Sequence, residues 1–231
     1  MRVSRSLART KAVLVIGAGE LGSLPRLRKM LALPSKRYRV IAVDGGWLAC
    51  RKLGLKPDLL LGDFDSLPQK FHHQAMTSAR AVLRFPIDKD ESDLSLALKY
   101  AIQGQDPSGS EMIFLGVTGG REDHHQAALF EITRYASQCE HQFKIFGAHS
   151  DWFFLGRKAK LALRLSRGQT VSVFAMGSVV RGLQTRGLKW EGDRVKLLRP
   201  SSRGLSNLAV SERVTVSIES GCAAVVVPHN V

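Results

Sequence analysis

LLLGDFDS, residues 59–66, is the stretch from which the fold can be read. Three consecutive leucines suit a strand buried on both faces, as in a parallel sheet, and Gly62 lets the chain turn away close to a ligand. Asp63 and Asp65 follow with one residue between them. If the backbone stays extended through Phe64, side chains two apart project the same way and both carboxylates face one spot. Two like charges held that close call for a cation, and ligands that are all oxygen favour magnesium over zinc. A lone DxD can equally be an acidic turn capping the next helix, so its meaning depends on its surroundings.

Those surroundings repeat one pattern, a strand followed by a loop rich in acids or glycines. Ala12 to Ile16 is a short apolar strand, and Gly17 to Gly22 has GxGxxG spacing. A second strand, Tyr38 to Val43, ends at Asp44, Gly45 and Gly46. An acid at that offset is where a dinucleotide fold binds ribose, so an NAD-dependent oxidoreductase is one reading. Pro25, early in the next helix, and the paired glycines favour another, in which the loop at Gly17 approaches a different nucleotide's phosphates. Trp47 to Leu53 reads as a short helix closed by Gly54.

Past the decisive stretch, residues 67–79 read as a poorly periodic helix with His72 and His73 on its surface, and Ala81 to Phe85 as a fourth strand. Asp88 to Asp93 puts five ionisable residues into six. Ser92 stands at an N-cap position, and Leu94, Ala97, Leu98, Ala101 and Ile102 make a helical stripe. A fifth strand, Met112 to Leu115, opens into a loop where Gly119 and Gly120 leave amides for phosphate and Arg121 can add a bidentate clamp. Phe143 to Phe146 is a sixth strand. From about Ser150 helical periodicity stops. Short runs at Lys160 to Arg164, Thr170 to Phe174, Val179 to Gln184, Arg194 to Leu198, Arg213 to Ile218 and Ala223 to Val227 are punctuated by glycines, as in a small antiparallel sandwich or barrel. The expected fold is α/β: a mostly parallel sheet forming a catalytic domain at residues 1–148, followed by a small all-β sandwich domain at residues 149–231.

Composition narrows the classes. With 231 residues and 44% hydrophobic content the chain can bury a full core, and no apolar run reaches membrane-spanning length. The basic, acid-free start, MRVSRSLARTK, lacks an apolar core and reads as a short lead-in on a cytoplasmic protein. Cys50, Cys139 and Cys222 are odd in number and far apart, consistent with reduced thiols. The net charge is +14, yet twelve of the twenty acids fall between Asp44 and Asp123, while residues 152–231 hold thirteen Lys and Arg against four acids. Carboxylates gathered inside a positive field suit a metal site that attracts polyphosphate. A basic RNA-binding module is the rival, but zinc-knuckle spacing, a KH-type clamp and an RNP aromatic pattern are missing from the sequence.

Acid-bearing loops at Asp44, at Asp63 and Asp65, at Asp88, Asp90 and Asp93, and at Asp123 each follow a predicted strand. In a parallel sheet such loops share one edge, so distant residues converge on one crevice. Magnesium on carboxylates, with an arginine and glycine amides nearby, is what phosphoryl-type transfer from ATP requires. The sequence has no GxxxxGK[ST] P-loop.

The series DGG at 44–46, PD then GDFDS at 57–66, DKDESD at 88–93, GGREDH at 119–124, GLKW at 187–190 and SN at 206–207 resembles the thiamine pyrophosphokinase family, in the family's order and over nearly the whole chain. The resemblance implies a homodimer that transfers diphosphate from ATP to thiamine's hydroxyl, leaving AMP (EC 2.7.6.2). By that comparison Asp63, Asp65 and Asp90 bind magnesium and act in catalysis with Asp93 and Arg121. Residue chemistry and resemblance together assign ATP to Gly17, Asp44, Gly45, Gly46, Asp63, Ser92, Gly119, Gly120, Arg121 and Asp123. Thiamine is assigned to Asp90, Ser92, Trp190, Ser206 and Asn207, the last three from the partner subunit. Thiamine's cationic thiazolium suits a tryptophan face, worth ~0.5 to 2 kcal/mol; without its neighbouring motifs Trp190 would read as a sandwich core residue. Asp93 or Asp90 is the candidate to receive the hydroxyl proton. The nearest alternative substrate is a pterin alcohol, 6-hydroxymethyl-dihydropterin, at the same metal site.

Overall fold

The computed structural model describes residues 12–32, 38–103 and 110–229. The basic start at residues 1–11 lies outside them. Two compact units divide the chain: one runs to Ala128 and takes back Phe146–Ala148, and the other comprises Leu129–Ile145 and everything from His149.

In the first unit strands and helices alternate: β1 (Ala12–Ile16), α1 (Leu24–Leu31), β2 (Tyr38–Val43), α2 (Gly46–Leu53), β3 (Leu59–Gly62), α3 (His72–Ser78), β4 (Ala81–Arg84), α4 (Asp93–Ile102), β5 (Glu111–Leu115) and α5 (Glu122–Ala136), whose second half belongs to the other unit. The strands are parallel in the order β4-β3-β2-β1-β5. Central β1 pairs on both sides, with Val15 opposite Ile41 and Phe114, and all five of its residues are buried. Burial on both faces is why β1 and β3 are continuous aliphatic runs without alternation. Strand order reverses on either side of β1, so the crevice beyond the carboxyl ends of β1, β2, β3 and β5 receives the loops beginning at Gly17, Asp44, Asp63 and Gly116.

The strand through Leu59 ends sooner than the sequence suggested. Gly62 has φ 145°, a conformation a β-carbon would strain, and a β-carbon there would stand 3.0 Å from that of Asp44. Phe64 is left-handed at φ 68°. Asp63 and Asp65 are therefore brought together by a turn rather than by extended alternation. Phe64 is 2% exposed, in the apolar cluster with Trp47, Leu60 and Leu67. Burying the aromatic ring anchors the turn and leaves its two acidic neighbours on the outside.

The second unit is antiparallel. After β6 (Gln142–Phe146) come β7 (Ser150–Leu155), β8 (Lys160–Arg164), β9 (Thr170–Ala175), β10 (Val179–Arg186), β11 (Val195–Leu198), β12 (Asn207–Leu208), β13 (Arg213–Ser217) and β14 (Ala223–Pro228). One layer runs β7-β14-β9-β12 and the other β8-β13-β10-β11. Leu155, Val173 and Val225 from the first layer meet Val180, Leu183, Val214 and Val216 from the second, which makes the unit a sandwich. β7 was not read from the sequence: SDWFFL shows no polar alternation, and its buried positions do not alternate either. No helix among the described residues is long and apolar enough to cross a membrane.

Replacing Phe64 with Ala should cost ~3 to 5 kcal/mol of unfolding free energy, measured in urea, and loosen divalent-metal binding at the same time. Phe64→Leu should retain most of both.

Candidate active site

Asp44 ends β2 in the left-handed region, φ 49°, where its N–H donates to the Leu61 carbonyl at 2.8 Å and ties the end of β2 to β3. Its side chain is held by Ser66. The Ser66 hydroxyl donates to Asp44 Oδ2, the Ser66 N–H donates to the same oxygen at 3.3 Å, and Ser66 Oγ accepts the Gly45 N–H at 3.0 Å. This grip leaves Asp44 Oδ1 buried without a hydrogen-bond partner, in a residue only 8% exposed. Asp63 Oδ1 accepts the Asp65 N–H at 3.2 Å, and its Oδ2 accepts from Lys89 Nζ at 2.8 Å. Asp44, Asp63 and Asp65 each bring one carboxylate oxygen within 4.8 Å of the other two.

Charge follows from that crowding. The Asp65 carboxyl is pushed above its ordinary range by the Asp63 charge, by burial and by Asp44. Burial pushes Asp63 upward too, but the hydrogen bond from Lys89 and the Asp65 amide outweigh it and hold Asp63 below the ordinary range. Asp93, 3.4 Å from Lys89, is raised by burial, with Lys89 offsetting part of the effect. Three oxygen donors of which one is buried and otherwise unsatisfied suit a hard divalent cation such as magnesium.

The acid that joins Asp63 and Asp65 is Asp44. Asp44 completes the carboxylate group, whereas Asp90 is exposed and stands outside it. Ser92 caps α4 as its position suggested, accepting the Ser95 N–H at 3.2 Å, and Asp93 is the first helical residue. Two residues at the site were not singled out by sequence. Lys89 is a lone cation within a charge run that reads as solvated, and Ser66 looks like an ordinary turn residue. Ser66 ends the GDFDS motif and Lys89 lies inside DKDESD, but neither was assigned a role from sequence.

In the first glycine loop the amides turn to a neighbouring loop. The Gly17 and Gly19 amides donate to the Leu115 and Gly116 carbonyls at 2.9 and 2.7 Å, and a β-carbon on Gly17 would lie 2.5 Å from the Gly116 oxygen. These glycines let two loops touch. α1 begins only at Leu24, past the motif, so the helix N-terminus that a dinucleotide pyrophosphate needs is out of place and the NAD reading fails. Beside this loop a cavity of about 410 Å³ is lined by Ala18, Leu21, Leu48, Lys52, Gly45 and Ser66, among others. Gly119 and Gly120 are both left-handed, at φ 80° and 67°. Arg121 grips Asp123 through two hydrogen bonds, at 3.1 and 2.6 Å, and this pairing holds the Asp123 carboxyl at about 2. Asp123 also accepts the His124 N–H at 2.9 Å at the start of α5.

In the second unit the Trp190 ring is 58% exposed, so it is not a core residue. Asn207 fixes its backbone by accepting the Trp190 N–H at 3.1 Å and donating to the Trp190 carbonyl at 2.7 Å. Neighbouring Ser206, left-handed at φ 58°, donates its N–H to Ser172 Oγ at 3.0 Å. Lys189 Nζ lies 4.9 Å from the Trp190 ring centroid, so this face already accepts a cation.

Fold and site together define a class: a parallel α/β unit with three carboxylates converging beyond its strand ends, joined to an antiparallel β-sandwich. Two family models match the chain, "Thiamin pyrophosphokinase, catalytic domain" over residues 31–145 and "Thiamin pyrophosphokinase, vitamin B1 binding domain" over residues 158–223. The chain belongs to the thiamin pyrophosphokinase family. It is 36% identical to thiamine pyrophosphokinase of Bacillus subtilis (strain 168) over 84 residues, 36% of this chain and 38% of that one. It is 23% identical to thiamine pyrophosphokinase 1 of Oryza sativa subsp. japonica over 177 residues, 73% of this chain and 65% of that one. The chain thus spans about two fifths to two thirds of the length of these curated relatives. The crystal structure of Bacillus subtilis thiamine pyrophosphokinase shares the fold with TM-score 0.78 at 19% identity, covering 95% of this chain and 100% of that one. The Candida albicans thiamin pyrophosphokinase structure does so with TM-score 0.74 at 14% identity, over 95% and 89%.

Ser66→Ala should leave Asp44 Oδ2 with only the backbone N–H of residue 66, costing ~1 to 3 kcal/mol of stability and weakening Mn²⁺ binding measured by calorimetry. Because the Asp65 carboxyl is raised, a metal ion must displace its proton at a higher pH than for an ordinary aspartate, so Mn²⁺ affinity should fall as pH is lowered and begin to fall above the usual aspartate range. The same shift acts on the metal-free fold with the opposite sign. The folded state holds that proton more tightly than the unfolded chain, so this group's contribution to stability grows as pH drops through the folded value.

Proposed function

We propose that this chain is a magnesium-dependent thiamine pyrophosphokinase, transferring diphosphate from ATP to the hydroxyl of thiamine to give thiamine diphosphate and AMP. The observation that carries the reading is the convergence of Asp44, Asp63 and Asp65, with the buried Asp44 Oδ1 unpaired, in the unit matched by the catalytic-domain model. The exposed Trp190, fixed by Asn207 in the segment matched by the vitamin B1 binding model, supports thiamine over a pterin alcohol: its ring face suits a permanent cation.

Asp44, Asp63 and Asp65 would hold magnesium, which when bound neutralises charge on phosphate oxygens. The thiamine hydroxyl oxygen attacks the β-phosphorus, and the bond from that phosphorus to the oxygen bridging it to the α-phosphate breaks, so AMP leaves with that oxygen. Asp93, raised by burial, is suited to take the hydroxyl proton, and Asp90 is the second candidate. Arg121, oriented by Asp123, would steady phosphate oxygens next to the loop of Gly119 and Gly120. Gly17 would serve the nucleotide by shaping the loop rather than by donating its amide, alongside Gly45, Gly46 and Ser92. Trp190, Ser206 and Asn207 would reach thiamine bound to the partner subunit of a homodimer, with catalytic residues drawn from 1–148 and the thiamine-binding segment from 149–231. The cytoplasm, where ATP and magnesium are available, is the compartment this reading implies.

AMP release from ATP should require both thiamine and Mg²⁺, stop with EDTA and fail with 6-hydroxymethyl-dihydropterin. Asp63→Ala should lower kcat by roughly 10²-fold to 10³-fold. AMP release that is indifferent to thiamine overturns the assignment.

A further inference from the structure

Lys89 occupies an unusual place for a cation. It follows β4 on the loop before α4, and its side chain is only 14% exposed. The ammonium donates to Asp63 Oδ2 at 2.8 Å and to the Pro86 carbonyl at 3.0 Å, and it forms an ion pair with Asp93 Oδ1 at 3.4 Å. It thus bridges an acid of the three-carboxylate group to the first residue of α4.

Asp44 and Asp63 differ in a way that matters for a metal. Asp44 presents Oδ1 without a partner, because Ser66 occupies only Oδ2. Both oxygens of Asp63 are already engaged, Oδ1 by the Asp65 N–H and Oδ2 by the ammonium. A divalent ion held among Asp44, Asp63 and Asp65 would be a second cation on a carboxylate that already carries one. Two cations on one carboxylate in a half-buried site repel each other strongly.

We propose that Lys89 is a positioning residue that acts as a built-in counter-ion: it holds Asp63 and Asp93 in register, competes with the divalent metal for Asp63, and steps aside when the metal binds. Pro86 O and Asp93 retain the ammonium after Asp63 is given up, so the positive charge moves to the rim of the site instead of leaving it. There it is placed to meet the oxygens of an anionic phosphate substrate. This assignment rests on the diphosphokinase reading for its purpose, but the competition itself involves only the protein and the metal.

The test is Mn²⁺ binding by calorimetry to the full chain without nucleotide or thiamine, for the natural protein, Lys89→Met and Lys89→Arg. Removing the competing charge should tighten Mn²⁺ binding in Lys89→Met by about tenfold or more, while Lys89→Arg, which keeps the charge, should bind within about threefold of the natural protein. Lys89→Met should also unfold at a lower temperature than the natural protein without metal and regain the difference in saturating Mn²⁺. A side chain with a merely structural role would give the reverse, weaker Mn²⁺ binding as Asp63 loses its support, and that result or unchanged affinity overturns the proposal. A crystal soaked in Mn²⁺ supplies a second readout if Lys89→Met does not fold: Lys89 Nζ should have moved beyond hydrogen-bond distance of Asp63 Oδ2, and an intact contact beside a bound ion overturns the proposal. None of these measurements uses thiamine or ATP, so the competition can fail while thiamine-dependent AMP release succeeds, and the converse.

Discussion

Carboxylates repel one another, and the first unit is arranged to hold three of them within 4.8 Å. At such separations a pair of charges interacts by on the order of 1 kcal/mol in water and several-fold more near a protein surface. The acids therefore cannot ride on flexible loops. Asp44 follows a strand hydrogen-bonded to its neighbour and is gripped by Ser66, while Asp63 and Asp65 flank an aromatic ring sunk in the core. The parallel sheet supplies the rigidity: β1, paired on both sides and fully buried, fixes the edge from which these turns emerge.

The same constraint explains what could be read from sequence. Strands buried on both faces leave unbroken aliphatic runs, so β1, β2, β3 and β5 were legible, as was α4 from its Ser92 cap and apolar stripe. The pairing of Asp63 with Asp65 was legible too, but for a mistaken reason. The sequence suggested extended alternation, whereas the chain turns at Gly62 and reverses through a left-handed Phe64. A buried aromatic between two acids carries no local mark that separates these geometries. Lys89 was hidden because a cation among four acids has the composition of a solvated surface, and only tertiary structure shows it nearly buried against Asp63 and Asp93. The GxGxxG spacing misled in the opposite direction. Glycines needed for one loop to touch another are spelled the same way as glycines needed to approach phosphate.

The sandwich presents the converse problem. Its core is ordinary, formed by alternating aliphatic residues of two layers, and its informative residue is the one that escapes burial. A large aromatic at 58% exposure forgoes the hydrophobic stabilisation a core position would provide. Asn207 holds the backbone of Trp190 on both sides, so the exposure is built in rather than a frayed end. The Lys189 ammonium over the ring shows that the surface accepts positive charge. A ring held rigid and open in this way suits a cation that cannot shed its charge, and an aliphatic residue at the same position could not supply that attraction.

The distribution of charge then bears on what the three carboxylates are suited to hold. A protein that only buffers a divalent ion gains from surrounding negative charge, since every added carboxylate strengthens the attraction. This chain does the opposite, placing three acids in one crevice within a molecule of net charge +14. Such a field weakens the hold on a bare cation and strengthens it on a metal–polyphosphate complex, whose net charge is negative. Lys89 repeats that logic at close range, since an ammonium 2.8 Å from Asp63 Oδ2 would weaken that carboxylate's hold on a bare cation. Three converging carboxylates in such a field suit metal and phosphate together better than the ion by itself.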